Sequence, residues 1–275
     1  METLGAVAVS LEDAHDQPLL EPDPGALPLW SHVVVSALFP ADPGLHERLE
    51  RARSAWCKEA GFALPELLLV PIQDADWKDA WRQHAQCLSF GERLRIVPSD
   101  DDRDASDGFS GVSVQLAPGL AFGTGSHATT RSCLARLADE PPVAAEVIDF
   151  GCGSGILALA ALALGAKRVL GVDHDPQALA ASRENARRNG RNGDLELLPE
   201  LPPAARCDLL LANVLAGPLI ELAAPLLRSV RPNGRVILSG ILREQEAGVR
   251  AAWPDVTFET VVDEGWVCLD GRRRA

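Results

Sequence analysis

The chain has 275 residues, enough for one large domain or two modest ones, and an apolar content of 47% supports a packed core. Its net charge of −13 comes mostly from residues 1–115, which contain 20 acidic and 9 basic residues. We therefore expect no direct binding to nucleic-acid phosphates. No apolar run could cross a bilayer, the N-terminal residues lack a signal-peptide pattern, and the six cysteines form no C-x-x-C pair. These features predict a reduced, cytoplasmic protein without membrane contact, and we expect a monomer.

Residues 1–73 have the pattern of a small α+β domain. Short β-prone runs predict three strands, at 6–11, 32–38 and 67–72. Between the second and third strands, residues 43–61 predict a helix with Asp42 as its N-cap and Gly61 near its C-terminus. Three strands and one helix are few for an independent fold.

Residues 74–111 predict a linker and connecting segment. A short helix is expected to begin at Asp76, with Trp77 and Trp81 four residues apart on one face, where they would pack at the domain junction. A strand is predicted at 94–97, followed by a polar, acidic loop at 100–107.

A glycine- and hydroxyl-rich segment, residues 116–130, lies near the start of the second predicted domain, 112–275. Its composition suits a flexible wall over a cofactor better than core packing, and a helix is predicted from about Thr130 to Ala138. His127 lies beside serine and threonine residues. A local hydrogen-bonding or capping role is favoured for it over that of a general base.

The most informative stretch is residues 147–157, a β-prone run followed by three glycines at alternate positions and an apolar helix predicted over 156–166. Gly151 and Gly153 allow positive φ and a close approach of a ligand to the backbone. The free N–H groups of the following helix would face that ligand. The spacing is G-x-G-x-G with Ile156 in the sixth position, which disfavours a dinucleotide fingerprint and hydride chemistry on NAD.

A second strand, residues 169–172, ends in Asp173, 22 residues after Gly151. An acidic residue at about this distance is placed to accept hydrogen bonds from both hydroxyls of a ribose. Asp175 is the competing candidate. Asp173 is preferred because it ends the apolar run, whereas Asp175 and Pro176 have the pattern of a helix start.

The remainder of the chain alternates strands and helices. Further strands are predicted at 195–198, 208–212, 235–239, 257–262 and 266–270, and helices at 176–189 and 215–230. Repeated β-α units predict an α/β fold with a parallel sheet covered by helices on both faces. Gly151, Asp173 and Asn213 all follow predicted strands, so they should meet at one edge of the sheet, where ligands bind in such folds.

Three motifs in this order resemble those of the PrmA-type ribosomal protein methyltransferases. They are FGTGSHATT at 122–130, IDFGCGSG at 148–155 and ANVLAGPL at 212–219. The resemblance implies a Rossmann-like class I methyltransferase sheet that uses S-adenosylmethionine (SAM) to methylate lysine side chains or the N-terminal α-amine of ribosomal protein L11. It implies cofactor contacts from Thr130, Gly151, Gly153, Asp173 and Asn213. We further expect backbone or side-chain oxygens around Asn213 to orient the amine, with Asn213 as the candidate catalytic residue.

In that family a ferredoxin-like N-terminal domain docks the substrate protein, and the linker lets it swing. Residues 1–7 resemble the end of the first helix of such a domain leading into its second strand. The first strand and most of the first helix, roughly twenty residues, are therefore expected to be missing. Either the start lies too far downstream or the domain is incomplete.

Three other functions stay open at this stage. The protein could be a lysine methyltransferase that acts on a different protein, since related enzymes share the core motifs. A small-molecule methyltransferase is disfavoured because small substrates need no docking domain. A SAM-binding protein without activity is disfavoured by the intact glycines, Asp173 and Asn213.

Overall fold

The computed structural model describes residues 1–15, 30–71, 87–98, 108–116 and 125–275, which belong to two compact units, 1–73 and 74–275. Several expectations lie outside the described residues. These are the helix beginning at Asp76, the acidic loop at 100–107 and the first part of the FGTG motif, 122–124.

The first unit contains a two-stranded antiparallel sheet and one helix. Strand β1 (Ala8–Asp13) pairs with β2 (Val33–Leu38), and helix α1 spans Leu45–Ala60. Gly61, with φ of 76°, ends the helix as predicted. The predicted N-cap was wrong, because Gly44 is the cap residue. The Asp42 carboxylate instead accepts a hydrogen bond from the Gly44 N–H at 3.0 Å, which makes a turn just before the helix.

The predicted strand at 67–72 was also wrong over its described part. Residues 67–71 form no ladder with any strand in the described ranges, and the side chains of Leu68 and Val70 are 87% and 68% exposed. An apolar run becomes a strand only where a neighbouring backbone supplies hydrogen bonds. None of the described backbone does so here.

The second unit is built on a seven-stranded sheet in the order β11-β12-β10-β9-β6-β7-β8. Its strands are β6 (Glu146–Phe150), β7 (Arg168–Val172), β8 (Leu195–Leu198), β9 (Cys207–Asn213), β10 (Val230–Leu242), β11 (Val256–Asp263) and β12 (Trp266–Arg273). β12 runs antiparallel to both neighbours, and the other pairs are parallel. A separate three-stranded sheet contains β3 (Leu88–Phe90), β4 (Leu94–Pro98) and β5 (Val112–Leu116).

Helices cover both faces of the large sheet, as the β-α repeats predicted. They are α2 (Ala128–Asp139), α3 (Ile156–Ala163), α4 (Pro176–Arg188), α5 (Ala216–Glu221), α6 (Ala223–Ser229) and α7 (Glu246–Ala252). Alternate residues of β6 enter different cores: Val147 packs with α2 and α3, while Ile148 packs with α5, α6 and α7. No helix of the described part of the chain is long and apolar enough to span a bilayer.

Two predicted helices differ from the observed ones. The helix predicted over 215–230 is divided at Leu222, because Pro225 has no N–H to donate to the Glu221 carbonyl. The helix predicted over 156–166 ends at Ala163. Gly165, with φ of 105°, turns the chain towards β7.

Candidate active site

The glycine-rich turn follows β6 and leads directly into α3. Gly151, Gly153 and Gly155 have φ of 72°, 53° and 79°, a region that L-residues with side chains rarely adopt. Space is limited as well, since a Cβ added to Gly151 would lie 2.3 Å from Cγ1 of Val214. The Gly151 N–H donates to the Val172 carbonyl at 2.8 Å, which fixes the turn to the end of β7.

Asp173, the residue after β7, is hydrogen-bonded to the glycine turn. Its Oδ2 accepts from the Gly153 N–H at 2.9 Å, and its Oδ1 accepts from the Asp175 N–H at 3.0 Å. Each carboxylate oxygen keeps a lone pair for a further donor. Asp175 is the N-cap of α4 and accepts from the Gln177 N–H at 2.8 Å, so the prediction that it begins the helix is confirmed.

Asn213 and Thr130 are brought together although 83 residues separate them. Asn213 is the last residue of β9, and its Nδ2 donates to the Thr130 hydroxyl in the first turn of α2 at 3.2 Å. This contact leaves the Asn213 carboxamide oxygen able to accept a hydrogen bond from an amine.

His127 is the N-cap of α2, which confirms the capping role favoured from the sequence. Its Nδ1 accepts from the Thr129 N–H at 3.4 Å and lies 2.8 Å from the Thr129 hydroxyl. The imidazole also makes an edge-to-face contact with the Trp266 ring, with centroids 5.1 Å apart.

Sequence reasoning assigned no role to Asp149, which lies beneath the glycine turn and is only 1% exposed. Its Oδ2 accepts from the Ala158 N–H in α3 at 3.0 Å, while Oδ1 has no hydrogen-bond partner among the described residues. Burial raises the pKa of this carboxyl to about 7, against the opposing effect of the Ala158 N–H, and the charge of Asp173 raises it further. A carboxylate in an apolar strand next to a glycine turn was the available signal.

This pKa predicts a pH-dependent effect of Asp149→Asn on stability. The folded-state pKa is raised above the unfolded value of 3.8, so the contribution of the protonated carboxyl is lost as the pH rises to about 7. The neutral variant lacks this loss. The free energy of unfolding of Asp149→Asn, relative to that of wild type, should therefore increase by up to about 4 kcal/mol between pH 4 and pH 8. Denaturant unfolding at several pH values measures the difference, and a pH-independent difference would contradict the assignment.

A cavity of about 870 Å³ opens at the carboxyl ends of β6 and β7, a size that suits a small molecule. Gly151, Gly153 and Asp173 line it on one side, and apolar residues that follow β8 and β9 line the other. Three of the predicted site residues therefore share one cavity. The Asn213–Thr130 pair is connected to it through Val214, which also lines the cavity.

The sheet order, with β12 antiparallel beside β10, and the cavity at the glycine turn define a Rossmann-like class I methyltransferase. A sequence profile described as ribosomal protein L11 methyltransferase (PrmA) matches residues 1–274. The ribosomal protein L11 methyltransferase of Marinobacter nauticus is 48% identical over 275 residues, which cover 98% of this chain and 91% of that protein. The protein of the same name from Pseudomonas aeruginosa is 48% identical over 277 residues, covering 99% of this chain and 92% of that one.

Among solved structures, the ribosomal protein L11 methylase of Lactobacillus delbrueckii subsp. bulgaricus has 32% sequence identity and a TM-score of 0.61. The similarity covers 69% of this chain and 100% of that one. The chain belongs to the ribosomal protein L11 methyltransferase (PrmA) family. The resemblance and the fold class predicted from the three sequence motifs are confirmed.

Proposed function

We propose that this protein transfers methyl groups from SAM to amines of ribosomal protein L11. The observation that carries the proposal is the hydrogen bond from the Gly153 N–H to Asp173 Oδ2 within one cavity. It joins a backbone turn suited to close ligand approach with a carboxylate suited to a ribose. The family relatives named L11 methyltransferases support the choice of substrate.

Two features of the cavity lining fit SAM. Asp173 accepts hydrogen bonds from the ribose hydroxyls, and the bare backbone of Gly151 and Gly153 permits close contact. Thr130 and Asn213 complete the proposed cofactor contacts. SAM, when bound, supplies a methyl group already activated by its sulfonium.

The acceptor amine must be neutral to attack, and the proposed site favours that form by excluding water. A lysine side chain starts from a pKa of ~10.4 and an α-amine from ~7.7–8.0, and burial lowers both. The Asn213 carboxamide oxygen accepts a hydrogen bond from the amine and orients its lone pair. The Thr130 hydroxyl accepts from Nδ2 of the same side chain at 3.2 Å, which leaves the oxygen available for the amine. This alignment replaces a dedicated base.

Residues 1–73 are proposed to dock the substrate protein, and residues 112–275 to catalyse the methyl transfer. Residues 74–111 are proposed to link these two domains. The excess of acidic residues in 1–115 suits a basic protein and repels nucleic acid. This front part also argues against a small-molecule acceptor, which needs no docking unit. We further propose that the protein acts as a monomer in the cytoplasm.

A transfer assay with methyl-labelled SAM tests the proposal. Purified protein is incubated with ribosomal protein L11, with an unrelated basic protein of similar size, and without an acceptor. We expect label only in L11. Label in both proteins would favour a broader lysine methyltransferase. SAM binding without transfer to either protein would overturn the proposed activity on L11.

A further inference from the structure

The tight turn that joins β11 to β12 has a fixed geometry. Glu264 and Gly265 have φ of 50° and 85°, and Asp263 pairs directly with Trp266 across the turn. Two positive φ values in a two-residue loop are typical of a type I′ hairpin. We call residues 263–266 the hairpin turn. Its backbone holds the Asp263 and Trp266 side chains in defined positions.

Arg131 connects the hairpin turn to α2. Its Nη2 lies 2.9 Å from both Asp263 Oδ2 and Glu264 Oε1, and its Nη1 donates to the Ser126 carbonyl at 2.8 Å. The hydrogen bonds that Arg131 donates to both carboxylates raise its pKa. One planar guanidinium therefore fixes three groups, which a lysine ammonium on a flexible stem reproduces only in part.

Trp266 provides a second contact to the same helix end. Its ring meets the imidazole of His127 edge to face, at an interplanar angle of 68°. His127 in turn caps α2 through the Thr129 N–H. The hairpin turn therefore contacts α2 at two positions, the cap residue His127 and, four residues further along, Arg131.

The first turn of α2 leads directly to Asn213. Thr130, adjacent to Arg131, accepts the hydrogen bond from Asn213 Nδ2, and Ser239 Oγ donates to the Thr129 carbonyl at 3.2 Å. The contacts are thus continuous from the hairpin turn through α2 to the side chain proposed to orient the amine.

We propose that Arg131 and Trp266 are positioning residues for methyl transfer. The hairpin turn fixes the start of α2, so that Thr130 holds the Asn213 side chain in its productive orientation. Neither residue lines the described cavity, and each acts through α2. The inference rests on the proposed function and extends it to a part of the sheet remote from the glycine turn.

The test compares Arg131→Ala with Arg250→Ala. Arg250 in α7 has a similarly exposed side chain, pairs with Glu246 within the helix, and connects α7 to β11 by donating to the Phe258 carbonyl. At saturating SAM and L11, we expect kcat to fall about tenfold for Arg131→Ala and to stay within about twofold for Arg250→Ala. Arg131→Lys should recover part of the loss, and Trp266→Phe should be more active than Trp266→Ala. Thermal unfolding of each variant checks that the fold is retained.

A double variant separates positioning from a general loss of stability. If Arg131 acts through Asn213, Arg131→Ala combined with Asn213→Ala should be no slower than Asn213→Ala alone. The inference would be overturned if the kcat losses of the two single variants multiplied in the double variant, or if Arg131→Ala kept full kcat. Those outcomes presuppose an active wild type. An inactive wild type that binds SAM would instead overturn the proposed function.

Discussion

Replacing Gly151 with alanine is expected to weaken SAM binding about 100-fold, equivalent to about 2.8 kcal/mol. The backbone at this position has φ of 72°, which disfavours any side chain, and the new Cβ would lie 2.3 Å from Cγ1 of Val214. Because Val214 is β-branched and follows Asn213, relief of the overlap would move either the glycine turn or the residue next to Asn213. Isothermal titration calorimetry with SAM measures the effect.

Gly190→Ala is the matched control. Gly190 also has a positive φ, 65°, but an added Cβ there would meet no atom within 4 Å. This variant should have a cost in stability on the order of 1 kcal/mol and bind SAM as wild type does. Equal losses of SAM affinity in the two variants would show that overall strain is the cause. Unchanged affinity in Gly151→Ala would contradict the proposed position of the ligand.

Asp173→Asn is expected to weaken SAM binding between about tenfold and 100-fold, with little change in the thermal unfolding midpoint. Asparagine retains one oxygen for the Gly153 or Asp175 N–H but loses the second acceptor and the charge. The ribose hydroxyls then face an amide N–H₂ group in place of one carboxylate oxygen. Titration of SAM into the folded variant gives the dissociation constant.

Asp175→Asn provides the comparison, since it changes the same residue type two positions away. Asparagine is as good an N-cap as aspartate, so α4 should keep its start. We expect an unchanged dissociation constant for SAM. A larger loss in Asp175→Asn than in Asp173→Asn would reverse the assignment of the ribose-binding carboxylate.

Much of the described part of the second unit, residues 74–275, could be predicted from local sequence patterns. Apolar runs separated by glycines predicted the strands of the large sheet and the helices that cover it, because each of these elements finds its hydrogen-bonding partners in the fold. The assignment of Asp175 to the start of a helix also followed from local chemistry, since Pro176 favours the first position of a helix. Convergence of Gly151 and Asp173 followed from the rule that parallel strands end at one edge.

Features that depend on tertiary contacts were not predictable in this way. The apolar run at 67–71 has the composition of a strand, but no described strand pairs with it. The burial of Asp149 depends on α3 packing over β6, and its unpartnered oxygen is visible only in three dimensions. Likewise, Val214 lies against Gly151 and Gly240, where an added Cβ would come within 2.3 Å of it in each case. Nothing in the spacing of these residues indicates that contact.

The most direct test of the proposed activity is the mass of ribosomal protein L11 after incubation with this protein and SAM, followed by fragmentation to locate the change. We predict mass increases in steps of one methyl group for hydrogen, located on lysine side chains or the N-terminal α-amine. Asp173→Asn should give the same products more slowly at limiting SAM. An unchanged L11 mass, in the presence of wild-type protein shown to bind SAM, would contradict the proposed function.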